Sequence, residues 1–167
     1  MYQVLTREFL SEQGCLEIKS FEMAKERYAA VILYGTKSAM KQFLLEALAH
    51  NENAAYVDFY YPVLKAEEQH RFLDALNAEE RSLVTSFEAD GQNMYYQLDN
   101  NNLPFLAEVT ATELLFSTFY FAKEKAVVWG NYGLKYPLFC ESGEVLEQYI
   151  KMAERNNLFV EIEHEKD

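Results

Sequence analysis

Cysteine, glycine and proline are all scarce in this chain of 167 residues, with two, six and three of each. Cys15 and Cys140 stand far apart and in no metal-binding or redox spacing. A disulfide framework is excluded as the basis of the fold: two cysteines are too few, and a chain this long buries enough surface to fold without one. Reduced thiols in a cytoplasmic setting are the expectation. With so few glycines and prolines there is no Pro/Gly-rich linker, and no internal repeat or low-complexity segment breaks the chain. Residues 1–167 are therefore read as a single domain. No apolar run approaches the roughly 20 residues that a membrane-crossing helix requires. Met1-Tyr2-Gln3-Val4 lacks the charged region and long apolar stretch of a signal peptide.

Positive charge is also in short supply. Fifteen Lys and Arg face 27 Asp and Glu, a formal net charge of −12 with no basic run. Such a field repels nucleic-acid phosphates and anionic lipid, so neither nucleic acid nor membrane is expected as a partner. A basic protein is the electrostatic complement.

What remains is apolar and aromatic. Half the residues are hydrophobic, and 12 Tyr, 12 Phe and one Trp are present. Residues 5–13 read as a short helix stopped by Gly14, and 20–27 as another. Residues 28–34 (YAAVILY) form a continuous apolar run, a buried strand closed by Gly35. Helical spacing follows, with Met40, Phe43, Leu44, Ala47 and Leu48 on one face. Residues 55–61 (AYVDFYY) are a second strand: Tyr56, Asp58 and Tyr60 point one way, Val57, Phe59 and Tyr61 the other. Residues 65–76 are helical. Asn77 with Glu80 is a capping-box signature for a further helix to about Phe87.

After Asp90-Gly91, residues 94–98 read as a strand, and Asn100, Asn101 and Asn102 as a turn. Residues 103–109 suit helix or strand. Thr110 with Glu113 has the spacing of a helix cap, but 115–122 is β-prone. Turns at 123–125 and 130–133 link it to strands at 126–129 and 134–140, a three-strand meander. An amphipathic helix over 144–156 precedes a last strand at 158–164, with Leu158, Val160 and Ile162 inward and Glu161, Glu163 and Glu165 outward. The order predicts an α/β or α+β fold, a mixed and largely antiparallel sheet with helices packed on it. Its front half permits a right-handed β–α–β crossover.

Chemistry-bearing motifs are few. Gly35-Thr36-Lys37-Ser38 lies between a strand and a helix, where phosphate loops occur, but the glycine positions hold Thr36 and Val31. The segment reads as a turn with a Thr or Ser cap. His50, His70 and His164 form no ligand pair, and no metal site or cofactor is expected. Cys140 stands before a helix start that would lower its pKa, against its reading as a small buried hydrophobe. The paired Glu67-Glu68 and Glu79-Glu80 offset helix dipoles. Asp58 interrupts an aromatic strand and implies a partly solvated face.

Two functional expectations follow. The first is a non-catalytic protein–protein interaction module, in its sharpest form an acidic inhibitor of the immunity type that neutralises a basic partner. Its contact residues would be Tyr60, Asp58, Trp129 and Tyr132, aromatic anchors beside carboxylates. The second is a small enzyme or ligand-binding domain whose site is assembled from Asp58, Tyr60, His70 and Cys140. A homo-oligomer burying its aromatic sheet against a second copy is a third arrangement.

Overall fold

The computed structural model describes residues 1–162. Among them are seven α-helices and one seven-stranded sheet. The helices are α1 (Arg7–Glu12), α2 (Phe21–Arg27), α3 (Lys37–His50), α4 (Ala66–Asp74), α5 (Ala78–Thr85), α6 (Leu103–Ala111) and α7 (Gly143–Arg155). The strands are β1 (Ala29–Tyr34), β2 (Ala55–Asp58), β3 (Tyr95–Gln97), β4 (Thr118–Phe121), β5 (Ala126–Trp129), β6 (Lys135–Cys140) and β7 (Phe159–Glu161).

Local chemistry sets the helix starts. Thr6, Ser20, Thr36 and Ser142 each accept a backbone N–H three residues on, satisfying a donor that the first turn would leave unpaired. The capping box at α5 is complete: Asn77 Oδ1 accepts from Glu80 N at 2.8 Å, and Glu80 Oε1 accepts from Asn77 N at 3.0 Å. Gly14 ends α1 in the left-handed region at φ 94°. Residues 103–109, readable either way, are α6, with Pro104 in the first turn where its missing N–H costs nothing. Thr110 caps no new helix. It lies within α6, and its hydroxyl accepts from Ser117 N at 3.1 Å.

The sheet order is β3-β2-β4-β5-β6-β1-β7, and every pairing between strands is antiparallel. The β4–β5–β6 meander is present. The β1–α3–β2 stretch is a crossover between parallel strands, since four antiparallel pairings in succession separate β1 from β2, but the two are not neighbours: β4, β5 and β6 lie between them.

Strand alternation divides the sheet into two faces. On the first, Val31, Leu33, Val57, Phe59, Phe119, Phe121, Val128 and Leu138 are buried in the main core, with α3, α6 and α7 layered over it. The second is covered by the N-terminal segment: Leu10 of α1 packs with Tyr56 and Ala122, and Phe21 of α2 meets Trp129 and Phe139. This cover is incomplete, so β1 is not buried on both sides as its apolar run predicts. Val31 and Leu33 are buried, whereas Ala30, Ile32 and Tyr34 are half-buried. Among the described residues the last strand covers Phe159–Glu161 and leaves out Leu158 and Ile162 of the predicted run. Leu158 is buried and Val160 packs on the core, but pairing stops at Glu161 and leaves Ile162 65% exposed. Glu163, His164 and Glu165 lie outside the described residues.

One end of the sheet is closed by a polar knot. Buried Asn51 donates to Ala47 O (2.8 Å) and Tyr149 Oη (2.9 Å) and accepts from Glu124 N (2.8 Å). Tyr149 Oη donates onward to Glu124 O at 2.6 Å. The opposite end carries a second buried polar group, Asp58.

Candidate functional site

Antiparallel pairing brings the end of β2, the start of β4 and the end of β5 together at this second end. Asp58 sits at the end of β2, where Thr118 N donates to its Oδ1 at 2.7 Å. Thr118 in turn pairs across the ladder with Trp129. Asp58, Thr118 and Trp129 therefore form a row across the second face. Tyr60 stands at one end of the row and Tyr132 follows at the other. Four residues read separately from the sequence thus fall along one margin of the sheet.

Their exposure differs. Tyr132 is 68% and Tyr60 is 40% exposed. Trp129 is half-buried, its indole against Phe21 and Phe139. Asp58 is buried, contrary to the partly solvated face expected around it. The physical reason is its hydrogen bonding: the Thr118 amide and hydroxyl and the Tyr60 hydroxyl all face the carboxyl. Burial nevertheless outweighs these bonds and pushes the Asp58 pKa up to about 7. Asp58 can thus reach a partner only through Tyr60 and Thr118. Its charge and burial together raise the Tyr60 phenol to about 12.

Tyr132 is held by its surroundings. The chain turns at Gly130, where a Cβ would lie 2.4 Å from Ser117 O and 2.5 Å from Thr110 Cγ2, so only glycine fits. Gly133 N donates to Glu113 Oε2 at 2.8 Å, which pins the turn to the end of α6. The Tyr132 ring stands edge-on to Phe116 at 4.7 Å.

The other singled-out residues do not join this margin. Cys140 pairs with Ala29 and Ala126 at the far end of the sheet and belongs to the main core. It does precede a helix start, but burial governs it and raises its pKa well above the ordinary thiol value. His70 is exposed on α4. His50 ends α3 and contacts Gln148 Oε1 at 3.2 Å. Asp58, Tyr60, His70 and Cys140 are therefore not assembled into one site. Among the described residues, no group of three or more His, Cys, Asp or Glu could hold a metal ion. Lys37 pairs with Glu108 at 3.0 Å beside a Thr36-capped turn, as an ordinary helix start.

Comparison with protein-family models, with curated proteins and with solved structures finds no match. The reading of the site rests on geometry.

That geometry includes a cleft of about 210 Å³ between α1 and the second face, walled by Tyr95 and Tyr120 and bordered by Arg7, Leu10, Cys15 and Glu17. Tyr95 and Tyr120 meet edge to face at 6.2 Å. Burial raises the pKa of both phenols, with Asp58 adding to it and Arg7 opposing. Sequence reasoning missed this cleft. Its one warning was a basic residue in an acid-rich chain, and Arg7 sits on a six-residue helix with no motif around it. Among the described residues, no helix is long and apolar enough to cross a membrane.

Proposed function

We propose that the chain is a non-catalytic protein–protein interaction module: an acidic inhibitor, of the immunity type, that neutralises a basic partner in the cytoplasm. The observation that carries this reading is Tyr132. It is a large aromatic side chain, 68% exposed, on a turn fixed by Gly130 and by Glu113, in a chain of net charge −12. A side chain presented this way loses little conformational freedom on binding, as an anchor should. Tyr60 is a second anchor on the same margin, and half-buried Trp129 supports the surface between them. Glu113 beside Tyr132 suits an Arg or Lys of the partner through an ion pair and a cation–π contact. Cys15 and Cys140 are free and lie in separate cores, consistent with reduced thiols in the cytoplasm.

The test begins by capturing the partner from the native host and identifying it by mass spectrometry. Association is then timed against salt. The on-rate should fall steeply as the Debye length shrinks from about 10 Å at 0.1 M to about 3 Å at 1 M. Tyr132→Ala should cost about 2 kcal/mol or more of affinity, mainly in the off-rate, with the free chain still folded. A salt-independent on-rate removes the electrostatic basis of the reading. If Tyr132→Ala unfolds the free chain, the surface itself is wrong. A chain that captures only copies of itself and doubles its mass in solution is an assembly subunit instead.

A further inference from the structure

The cleft beside α1 has the chemistry of a small-molecule site, independent of any protein partner. Among the described residues, Arg7 makes no ion pair, although Glu8 and Glu17 border the same cleft. In a chain with nearly twice as many acids as bases, Arg7 has no carboxylate partner; its guanidinium hydrogen-bonds the Tyr95 hydroxyl, which uses only part of its five-donor fork and sets it against the cleft wall. The walls beside it are apolar or aromatic: Leu10, Ile18 and the rings of Tyr95 and Tyr120. Both phenols remain protonated at neutral pH and can donate hydrogen bonds, because their pKa values are raised. An apolar cavity of roughly 150 Å³ holds one benzene. The 210 Å³ here accommodates a single ring with a carboxylate attached. Glu8, Glu17 and the Asp58 carboxyl behind Tyr95 and Tyr120 oppose any ligand of higher negative charge, such as a phosphate.

We propose that the cleft between α1 and the Tyr95–Tyr120 wall binds a small monocarboxylate with a single-ring or branched apolar body, its carboxylate on Arg7 and its body against Leu10 and the tyrosine rings.

The probe is phenylacetate, titrated into the intact protein while the tyrosine ring resonances are followed by NMR. The Tyr95 and Tyr120 signals should move saturably, with millimolar or tighter affinity. Neutral phenylacetamide should bind about tenfold more weakly or worse, the usual scale of a lost charge-assisted hydrogen bond. Arg7→Gln should show the same loss. Arg7 is exposed, so the variant should keep the wild-type melting temperature; Tyr120→Phe, which removes a donor and keeps the ring, is the second variant and should also weaken binding. Occupancy has a separate readout. Cys15 borders the cleft while Cys140 is fully buried, so slow alkylation of the native protein reports Cys15 and should slow further with phenylacetate bound. No saturable shift, equal binding of phenylacetamide, or unchanged binding by Arg7→Gln overturns the proposal. Displacement of phenylacetate by equimolar inorganic phosphate overturns the monocarboxylate class.

Discussion

On one face of the sheet Phe59 is fully buried and meets the rings of Tyr61, Phe72, Phe87 and Phe105 at 4.7–6.1 Å. On the other, the corresponding place is taken by Asp58, Tyr95 and Tyr120, with a cleft beside them and a six-residue helix as the cover. Both faces belong to the same strands, so each second residue along β2 and β4 answers to a different demand. The helix-covered face is closed by α3, α6 and α7 and selects for shape. The face under the N-terminal segment is half-closed. It retains hydroxyls, a carboxyl and a guanidinium, groups that a closed core excludes unless each is paired. Close apolar packing is therefore concentrated on one side and polar side chains on the other.

The largest expected effect tests the closed face. Phe59→Ala removes the ring at the centre of the aromatic cluster and should cost about 3–5 kcal/mol, read by chemical or thermal denaturation. A loss as small as that of a surface substitution would show that the two faces are not so different.

The next effect tests the half-closed face through pH. The Asp58 pKa is raised to about 7 in the folded protein, against 3.8 when unperturbed. Between those values the folded state holds a proton that the unfolded state releases. Stability should therefore fall as pH rises from about 4 to 7, by up to roughly 1.4 kcal/mol per pH unit from this group, and level off above. Asp58→Asn has no proton to lose. It should match the wild type near pH 4 and exceed it at pH 8, in denaturant titrations across the range. An Asn variant that is less stable at pH 8 would mean the ionised carboxylate is fully compensated by Thr118 and Tyr60.

The smallest effect concerns the rim of the helical layer. The Lys37–Glu108 pair is about half exposed on both partners. Lys37→Ala should change stability by no more than about 0.5 kcal/mol, because exposed pairs contribute little. The melting curve checks this; a larger loss would assign the pair to the core side of the comparison.

Much of the closed face was legible in the sequence, because its signals are local. The helical spacing of Met40, Phe43, Leu44, Ala47 and Leu48, the Asn77–Glu80 cap and the turns bounding β5 each act within a few residues, and each element formed where it was read. Residues 103–109 were ambiguous because apolar residues stand at every position but Glu108, which leaves no clear helical period to read. The half-closed face was legible only in part. Asp58 and Tyr60 stood out as polar interruptions, but the burial of Asp58 depends on the Thr118 amide, sixty residues away. The cleft needed three separate segments to meet, and nothing about Arg7 announced that Tyr95 and Tyr120 would stand opposite it.

The position of β1 bears on how the molecule comes into being. Its two neighbours are β6 and β7, so Ala29 lies opposite Cys140 and Tyr34 opposite Phe159. During synthesis the strand leaves the ribosome long before either neighbour exists, an apolar AAVILY segment with both edges bare. Closing the sheet means bringing together parts of the chain separated by most of its length, a search whose entropy must be overcome before any ladder bond rewards it. The protein should accordingly fold late and as a whole, and a chain halted before β6 should fail to fold and tend to aggregate through that strand.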